Sequence, residues 1–272
     1  MSVQRAARVK TARAIRSIHP TAIVDSDARI ASDVEIGPYA VIGRDVEIGA
    51  GSRIGPHTVV VGHTRLGTNN TISQFASIGD APQDKKYGGE PTQLEIGNNN
   101  TIREFCTINR GTVQDAGVTR IGDDNWIMAY VHVAHDCQIG SRTIFANNAQ
   151  LAGHVHVGND AILGGFTVVH QRVRIGAHSI SGMGTILLQD VPPYVKVSGN
   201  PARPYGINVE GLRRRGFSAG QIATLKRAYK TVYRSGLPLE EALRELQSQA
   251  SSCAAVTLLI DFLSEPNRGI LR

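Results

Sequence analysis

The chain contains little of what several common protein classes require. Only three of its 272 residues are cysteines, and Cys106, Cys137 and Cys253 form no C-x-x-C pair, which argues against a disulfide framework and a thiolate zinc site. No apolar run approaches the ~18 residues of a membrane-spanning helix, so we expect no membrane span. Aromatic residues make up 5% of the chain, with a single tryptophan. The chain therefore has few aromatic side chains on which nucleic-acid bases could stack, and we expect no nucleic acid partner.

The formal net charge of +6 comes mostly from the amino-terminal end. Residues 1–17 contain five basic side chains and no acidic one: Arg5, Arg8, Lys10, Arg13 and Arg16. We predict a disordered extension over residues 1–17 and a cytoplasmic protein. An organellar transit peptide is the alternative, because such peptides are rich in arginine and poor in acidic residues.

Aliphatic residues recur at every sixth position. The first series is unbroken and contains Ile18, Val24, Ile30, Ile36, Ile42, Ile48, Ile54, Val60, Leu66, Ile72 and Ile78. The pattern resumes at Ile96, slips by one residue, and then runs from Ile121 to Leu187 with Ser181 as its exception. A period of six is neither helical nor a simple strand alternation, and it is typical of hexapeptide repeats. We predict a mostly β fold, a parallel β-helix over residues 18–196, in which residues about 18 apart are vertical neighbours.

Two stretches interrupt the repeat, and a third region replaces it. Residues 80–92 and 110–119 lack the expected aliphatic positions, so we predict loops there. Such excursions from a solenoid often carry function, although a tolerated surface insertion explains them equally well. After Pro192-Pro193 the apolar spacing becomes helical, and Ser218 with Gln221 forms a capping-box sequence. We predict a helical domain over residues 197–272 that covers one open end of the solenoid.

The 18-residue coil brings polar residues together. His135, Gly153 and Gln171 fall into one vertical column, and Asp136 lies beneath His154. Imidazole titrates near neutral pH and suits a general base, while a glycine N–H can approach a developing oxyanion unobstructed. The adjacent Asp136 can orient the imidazole. This column favours acyl transfer to an alcohol.

Two other interpretations of the histidines stay open. An outward histidine on a solenoid is often only a surface residue. Alternatively, His132, His135 and His154 supply the three imidazoles of a zinc site, which metal analysis can distinguish. We expect neither a metal ion nor a cofactor.

The chain resembles the UDP-N-acetylglucosamine O-acyltransferase family of lipid A biosynthesis from about Ile18 to Arg272. The stretches that carry the resemblance are Ile18–Ile23, Gln74–Gly79, Gln83–Asp84, Lys86–Tyr87, Gly89–Thr92, Arg110–Gln114, Ala134–Cys137, Ala146–Asn148, Leu151–His154, Val169–Gln171, Gln189–Tyr194, Asn208–Leu212 and Arg214–Phe217. Many acetyltransferases share the hexads, whereas the loop and helical-domain motifs are specific.

The resemblance implies a left-handed β-helix homotrimer with active sites between subunits. It implies transfer of a (3R)-3-hydroxyacyl group from acyl carrier protein to the 3-hydroxyl of UDP-N-acetylglucosamine, with His135 as base, assisted by Asp136, and the Gly153 N–H facing the oxyanion. The positions that match nucleotide, sugar or acyl-chain contacts are Asp84, Lys86, His132, His154, His170, Gln171, Asn208, Glu210, Arg214 and Arg215. The arginine pair also suits pyrophosphate on chemical grounds.

One pair of stacked positions bears on the length of the acyl chain. Gly165 and Met183 are 18 residues apart, and the resemblance makes Met183 a ruler where glycine admits a longer chain. We therefore expect a shorter acyl group of about ten carbons, because a close-packed groove resists extra methylenes.

Two rival functions remain at this point. Another hexapeptide acyltransferase, such as an N-acyltransferase acting later in the same pathway, differs in using an amine acceptor. A structural or binding solenoid without turnover is the non-enzymatic alternative. The column of His135, Gly153 and Gln171 argues against it.

Overall fold

The computed structural model describes residues 17–250, 253–265 and 269–272. Of the predicted amino-terminal extension, only Ser17 lies within the described residues, and it opens the first strand. The hexad region forms three parallel sheets that wind around one apolar interior. The predicted parallel β-helix is confirmed.

Each sheet receives one short strand from every coil. Sheet 1 contains, in spatial order, Ser17–Ile18, Glu35–Ile36, Arg53–Ile54, Thr71–Ile72, Thr101–Ile102, Trp126–Ile127, Ile144–Phe145, Ile162–Leu163, Ile180–Ser181, Val195–Ser198 and Arg203–Ile207. Sheet 2 contains Ile23–Val24, Val41–Ile42, Val59–Val60, Ser77–Asp80, Thr107–Asn109, His132–Val133, Gln150–Leu151, Val168–Val169 and Ile186–Leu187. Sheet 3 contains Arg29–Ile30, Glu47–Ile48, His63–Leu66, Gln93–Ile96, Val118–Ile121, Gln138–Ile139, His156–Val157 and Arg174–Ile175.

The strand register explains the six-residue period. Ile36 pairs with Ile54, so regular coils advance by 18 residues and the aliphatic side chains stack in interior ladders. Ser181, the exception to the pattern, also points inward and is buried. Its hydroxyl satisfies its hydrogen-bonding capacity there, because it accepts from the Gly164 N–H at 3.0 Å and lies 2.8 Å from the Thr167 hydroxyl.

Both interruptions of the repeat leave the solenoid at the same place. In these two coils the paired residues are more than 18 positions apart, because each coil carries extra residues: Ile72 pairs with Ile102, and Ile102 pairs with Ile127. The first excursion spans 81–92 and the second 110–117, two residues shorter than predicted because Val118–Ile121 is a four-residue strand. Each one runs from sheet 2 to sheet 3. We call this edge of the prism the loop corner.

The other two corners differ in composition. Between sheets 1 and 2, the aromatic corner carries a column of exposed rings stacked 4.8 to 5.3 Å apart: Tyr39, His57, Phe75, Phe105 and Tyr130. Between sheets 3 and 1, the arginine corner gathers Arg142, Asp160, His178 and Arg215. The three corners therefore differ in their side chains: one carries the two excursions, one carries aromatic rings and one carries arginine and aspartate.

A helical region closes the carboxyl-terminal end. Its helices are α1 Val209–Arg214, α2 Ala219–Arg234, α3 Leu239–Ala250 and α4 Ala255–Ser264. The capping box at α2 is formed on both sides, since the Ser218 side chain accepts from the Gln221 N–H and the Gln221 side chain accepts from the Ser218 N–H. The described helices are all too short or too polar to cross a membrane.

The helical region joins the solenoid through shared apolar packing. The parallel strand Val195–Ser198 adds to sheet 1, and the antiparallel strand Arg203–Ile207 covers its edge. Ile207 and Tyr233 then pack against both the solenoid interior and the helical core. The strand Arg203–Ile207 thus pairs the open edge of sheet 1, and the helical region packs onto the end of the solenoid. The sequence pattern did not reveal this hairpin or α1.

Candidate active site

The loop corner holds an imidazole and a carboxylate in direct contact. His135 and Asp136 occupy the turn between His132–Val133 and Gln138–Ile139, and both are buried. The His135 Nδ1–H donates to Asp136 Oδ2 at 2.9 Å. This bond fixes the tautomer, because a carboxylate only accepts, and it leaves His135 Nε2 with its lone pair available. The sequence predicted both residues and their adjacency.

The second excursion completes the environment of the carboxylate. Thr112 donates its N–H to Asp136 Oδ1 at 2.8 Å and its hydroxyl to Asp136 Oδ2 at 2.6 Å, while the Asp136 N–H donates to the Thr119 hydroxyl. Burial alone raises the pKa of the Asp136 carboxyl, but the hydrogen bonds from His135 and Thr112 outweigh it and hold the pKa below its usual value. Asp136 is therefore held in its ionised form, in which it accepts the hydrogen bond from His135.

Gly153 lies directly above the His135 ring. Val133 pairs with Leu151, which puts Gly153 one coil above His135, as the 18-residue arithmetic predicted. A Cβ on Gly153 would lie 2.5 Å from His135 Cε1, so only glycine fits here. Within the described part of the chain its N–H makes no hydrogen bond, whereas its carbonyl accepts from the Arg172 N–H. An imidazole and a free peptide N–H thus share one small region.

His154 forms a second histidine–carboxylate contact beside the first. Its Nδ1–H donates to Asp115 Oδ2 at 2.6 Å, and its Nε2 lies 3.9 Å from Asp136 Oδ2. The rings of His135 and His154 meet edge to face, with centroids 5.0 Å apart. Sequence reasoning missed Thr112 and Asp115. Both lie in an excursion that interrupts the repeat, and Thr112 also lies in Arg110–Gln114, a stretch that carries the family resemblance.

Three further predicted residues lie near this cluster on the coils. His132 Nδ1 shares a hydrogen bond with the Thr107 hydroxyl at 2.7 Å, and burial together with the neighbouring His135 lowers the pKa of His132. His170 and Gln171 are exposed one coil above Gly153, where His170 Nδ1 donates to the Gln171 carbonyl at 3.0 Å. Both residues therefore lie on the surface of the loop corner, close to the buried cluster.

The first excursion brings Asp84 and Lys86 to the same corner. Asp84 Oδ1 accepts from the Lys86 N–H, which makes a tight turn, and the Lys86 side chain is exposed. The loop is anchored by Tyr87, whose hydroxyl accepts from the Arg110 guanidinium at 2.8 Å and donates to the Glu90 carbonyl. A rigid scaffold therefore holds both predicted residues beside the solenoid.

The remaining predicted residues lie at the other two corners. Asn208 caps α1 and donates to the His178 carbonyl, and Glu210 pairs with Arg213. Arg214 is exposed, whereas Arg215 bonds to the buried Asp160 at 2.7 Å. All of these are at or near the arginine corner. One protomer thus does not bring them to His135.

Gly165 and Met183 lie at the aromatic corner. Ile162 pairs with Ile180, so the predicted stacking of these two positions is present, and the Gly165 carbonyl accepts from the Gly184 N–H. Met183 is 78% exposed, an unusual state for a large apolar side chain. Sheet 2 separates this pair from His135 within a protomer.

Among the described residues, one group has the spacing of metal ligands. It consists of His135, Asp136 and His154, with ligand atoms within 4.8 Å of one another. The zinc alternative drawn from the sequence contained His132 in place of Asp136. His132 instead pairs with Thr107, so the ligand set differs from that alternative.

Comparisons with known proteins agree with this architecture. A family model described as UDP N-acetylglucosamine O-acyltransferase, domain 2, matches residues 190–271, and a bacterial transferase hexapeptide model matches residues 27–62 and 119–153. The acyl-(acyl-carrier-protein)–UDP-N-acetylglucosamine O-acyltransferases of Thiobacillus denitrificans and a Janthinobacterium species are 61% and 63% identical, each match covering 94% of this chain and 99% of the relative.

Solved structures give the same result. LpxA from Acinetobacter baumannii superposes with a TM-score of 0.92 at 52% identity, and UDP-N-acetylglucosamine O-acyltransferase from Moraxella catarrhalis with a TM-score of 0.93 at 49% identity. Both matches cover 94% of this chain and 99% of the solved one. The chain, a left-handed parallel β-helix with a carboxyl-terminal helical region, therefore belongs to the acyl-(acyl-carrier-protein)–UDP-N-acetylglucosamine O-acyltransferase family.

Proposed function

We propose that this chain transfers a (3R)-3-hydroxyacyl group from acyl carrier protein to the 3-hydroxyl of UDP-N-acetylglucosamine, the first step of lipid A biosynthesis, in the cytoplasm. The observation that carries the proposal is the His135 imidazole, bonded to Asp136 at 2.9 Å, beneath the free N–H of Gly153. Family membership supports the reaction class, and this geometry supports the assignment of roles.

The roles follow from the orientation of the imidazole. His135 Nε2 takes the proton of the sugar 3-hydroxyl as its oxygen forms a bond to the thioester carbonyl carbon. The Gly153 N–H donates to the resulting oxyanion. When the carbon–sulfur bond breaks, the imidazolium returns its proton to the departing thiolate, and the ester and the free carrier thiol are the products. Asp136 keeps Nδ1–H in place throughout and stabilises the transient positive charge.

We further propose that the active site forms between protomers of a homotrimer. The predicted substrate contacts are divided among three corners of one protomer, and no single corner contains them all. A trimer with its aromatic corners toward the shared axis lays sheet 2 of one protomer against sheet 1 of the next. The loop corner of one protomer then meets the arginine corner of its neighbour, which brings Arg214 to the nucleotide side of the site.

Sheet 1 supports this arrangement through its outward side chains. In the upper coils they form an apolar column: Trp126, Ile144, Ile162 and Ile180. An acyl chain that enters between sheets 1 and 2 lies against this column and extends toward Met183 at the aromatic corner. Trp126 is exposed and the three isoleucines are half-buried, and contiguous apolar side chains on a surface suit an interaction site.

The acyl-chain preference provides a direct test of that path. We expect the wild type to prefer chains of about ten carbons, and Met183→Gly to accept longer ones, because removing the side chain opens the groove. Competition among carrier proteins loaded with different chain lengths measures the preference. An unchanged profile in Met183→Gly contradicts the ruler.

The central experiment combines the purified chain with UDP-N-acetylglucosamine and 3-hydroxyacyl carrier protein. We expect His135→Ala to lower kcat by about 10²- to 10⁴-fold, the usual contribution of a general base. His63→Ala is the matched control, since His63 is an exposed histidine on sheet 3 in a coil distant from the site. Substantial activity in a folded His135→Ala chain contradicts the proposed base. Transfer to an amine acceptor instead of the sugar hydroxyl contradicts the proposed reaction.

A further inference from the structure

The cluster at the loop corner has the spacing of a zinc site. One ligand atom each from His135, Asp136 and His154 lies within 4.8 Å of the other two. Ligand atoms around a tetrahedral Zn²⁺ are roughly 3 to 3.5 Å apart, given zinc–ligand distances of about 2.0 to 2.2 Å. Asp136 Oδ2 lies 2.9 Å from His135 Nδ1 and 3.9 Å from His154 Nε2. These two separations bracket the required one, while the ligand atoms of His135 and His154, which lie within 4.8 Å of each other, must approach to share an ion.

All three donors are withdrawn from solvent. The residues His135, Asp136 and His154 are 9%, 1% and 5% exposed. Two imidazoles and one carboxylate form a donor set that Zn²⁺ accepts readily, with a fourth position left for water or substrate. The three residues come from turns of two adjacent coils, and the solenoid register fixes that adjacency.

The contacts around these residues form a second, independent observation. A histidine that binds zinc usually donates its other ring N–H to a carboxylate, and a carboxylate ligand is itself held by hydrogen bonds. Asp115 accepts the His154 Nδ1–H at 2.6 Å, which turns Nε2 toward Asp136. Thr112 holds both oxygens of Asp136. The outer groups that orient zinc ligands are therefore present before any ion binds.

We propose that His135, Asp136 and His154 bind one Zn²⁺ ion per chain, with Asp115 orienting His154, and that the bound ion inhibits the transferase. Zinc takes the place of the proton that His135 Nδ1 otherwise donates to Asp136, and that proton is released to solvent. Inhibition follows because the hydrogen bond that orients the proposed base is then lost. The inhibitory part rests on the proposed function, whereas the binding site itself does not. Zinc here is a reversible ligand of the resting enzyme and takes no part in turnover.

Direct binding tests the site without turnover. The full chain is stripped with EDTA, dialysed and titrated with ZnCl₂ against a chromophoric chelator. We expect one ion per chain in the wild type, no binding at this site in His154→Ala, and about 10- to 100-fold weaker binding in Asp115→Asn, the usual effect of losing an outer carboxylate. Asp115 is on an exposed loop, so this variant keeps the solenoid intact.

The chain offers a matched control at the same corner. Asp45 Oδ2 lies 3.8 Å from His63 Nδ1, a carboxylate–histidine contact in a coil that lacks the other ligands. Asp45→Asn should leave zinc affinity unchanged. The site is refuted if no stoichiometric ion binds, if both Asp→Asn variants weaken binding equally, or if a folded His154→Ala chain binds as the wild type does.

An activity assay separates the two proposals. Inhibition by ZnCl₂ should follow occupancy, be reversed by EDTA, and need about 10- to 100-fold more zinc in Asp115→Asn. Zinc that binds without inhibiting contradicts the inhibitory role. A chain that binds zinc through these residues but transfers no acyl group supports the site and contradicts the proposed function. A chain that transfers the acyl group but binds no zinc supports the proposed function and contradicts the zinc site.

Discussion

Sheets 2 and 3, two of the three faces of the β-helix, differ in the charge of their outward side chains. The outward column of sheet 3 carries charged or titratable groups at nearly every level: Arg29, Glu47, Arg65, Glu95, Arg120, Gln138, His156 and Arg174. The outward column of sheet 2 contains no Asp, Glu, Lys or Arg: Ile23, Val41, Val59, Ser77, Thr107, His132, Gln150, Val168 and Ile186.

This difference in charge indicates which of the two sheets faces solvent. On sheet 3, basic and acidic side chains alternate from Arg29 to Arg120, so that Glu95 pairs with Arg120 at 2.8 Å and Glu47 with Arg65 at 3.5 Å. Opposite charges on adjacent strands stabilise an exposed sheet modestly. A face without charges is suited to burial, because an unpaired charge is costly to desolvate. We infer that, in the proposed trimer, sheet 3 is the outer face and sheet 2 is a buried one.

The largest expected effect comes from placing a charge on the uncharged face. Val59→Glu puts a carboxylate on sheet 2 well away from the candidate active site. In the proposed trimer, burying it costs several kcal/mol in each of three interfaces, so we expect that assembly to dissociate. Light scattering coupled to size-exclusion chromatography measures the assembled mass.

The control for this substitution adds the same charge to the other face. His156→Glu occupies an equivalent outward strand position on sheet 3, next to Arg174, and should leave assembly unchanged. If both variants remain assembled, or if His156→Glu alone dissociates, the assignment of inner and outer faces is wrong.

The fold was predictable to different degrees in its different parts. The hexad ladder, the coil length and the adjacency of His135 with Gly153 followed from the sequence. Three six-residue repeats make one coil of 18 residues, which places position 153 directly above position 135. Thr112 and Asp115 were not predictable. Their contacts with Asp136 and His154 depend on how an excursion folds back, and no periodicity governs a loop.

The arginine corner was likewise only partly predictable. Arg215 was expected to bind pyrophosphate, and its contact with Asp160 was not foreseen. Asp160 lies 55 residues earlier in the chain, and only the docking of the helical region brings the two together. Local sequence patterns carry no information on such docking.

A buried charge should contribute more than the exposed charges on sheet 3. Burial alone raises the pKa of Asp160, but hydrogen bonds from Arg142 and Arg215 outweigh it and lower the pKa below its ordinary 3.8. The ionised form therefore stabilises the fold above pH 3.8, and this contribution is lost as the pH falls through the lowered pKa. We expect Asp160→Asn to cost about 1 to 3 kcal/mol at neutral pH.

Thermal unfolding at several pH values measures this contribution. The gap in Tm between the wild type and Asp160→Asn should be widest at neutral pH. It should narrow as the pH falls below 3.8, where the unfolded chain takes up a proton, and close once the pH passes the lowered pKa of the folded carboxylate. Asp124→Asn is the control, since Asp124 is an exposed aspartate at the same corner with a similarly positive φ of 58°. A gap that does not change with pH contradicts the role of the Asp160 charge.

The smallest effect is expected on sheet 3 itself. Glu47 contacts both Arg29 and Arg65, whose side chains are each 74% exposed. Such surface pairs contribute about 0 to 1 kcal/mol, because water already solvates the separated charges and holding two long side chains costs entropy. Glu47→Gln should therefore lower Tm only slightly, and 1 M NaCl should abolish the difference, since the screening length there is about 3 Å. A large loss of stability that persists in salt would mean that Glu47 is shielded from solvent. Among the described residues, the ion-pair partners of Glu47 are Arg29 and Arg65 on sheet 3 itself. Such shielding would therefore contradict the assignment of sheet 3 as an outer face.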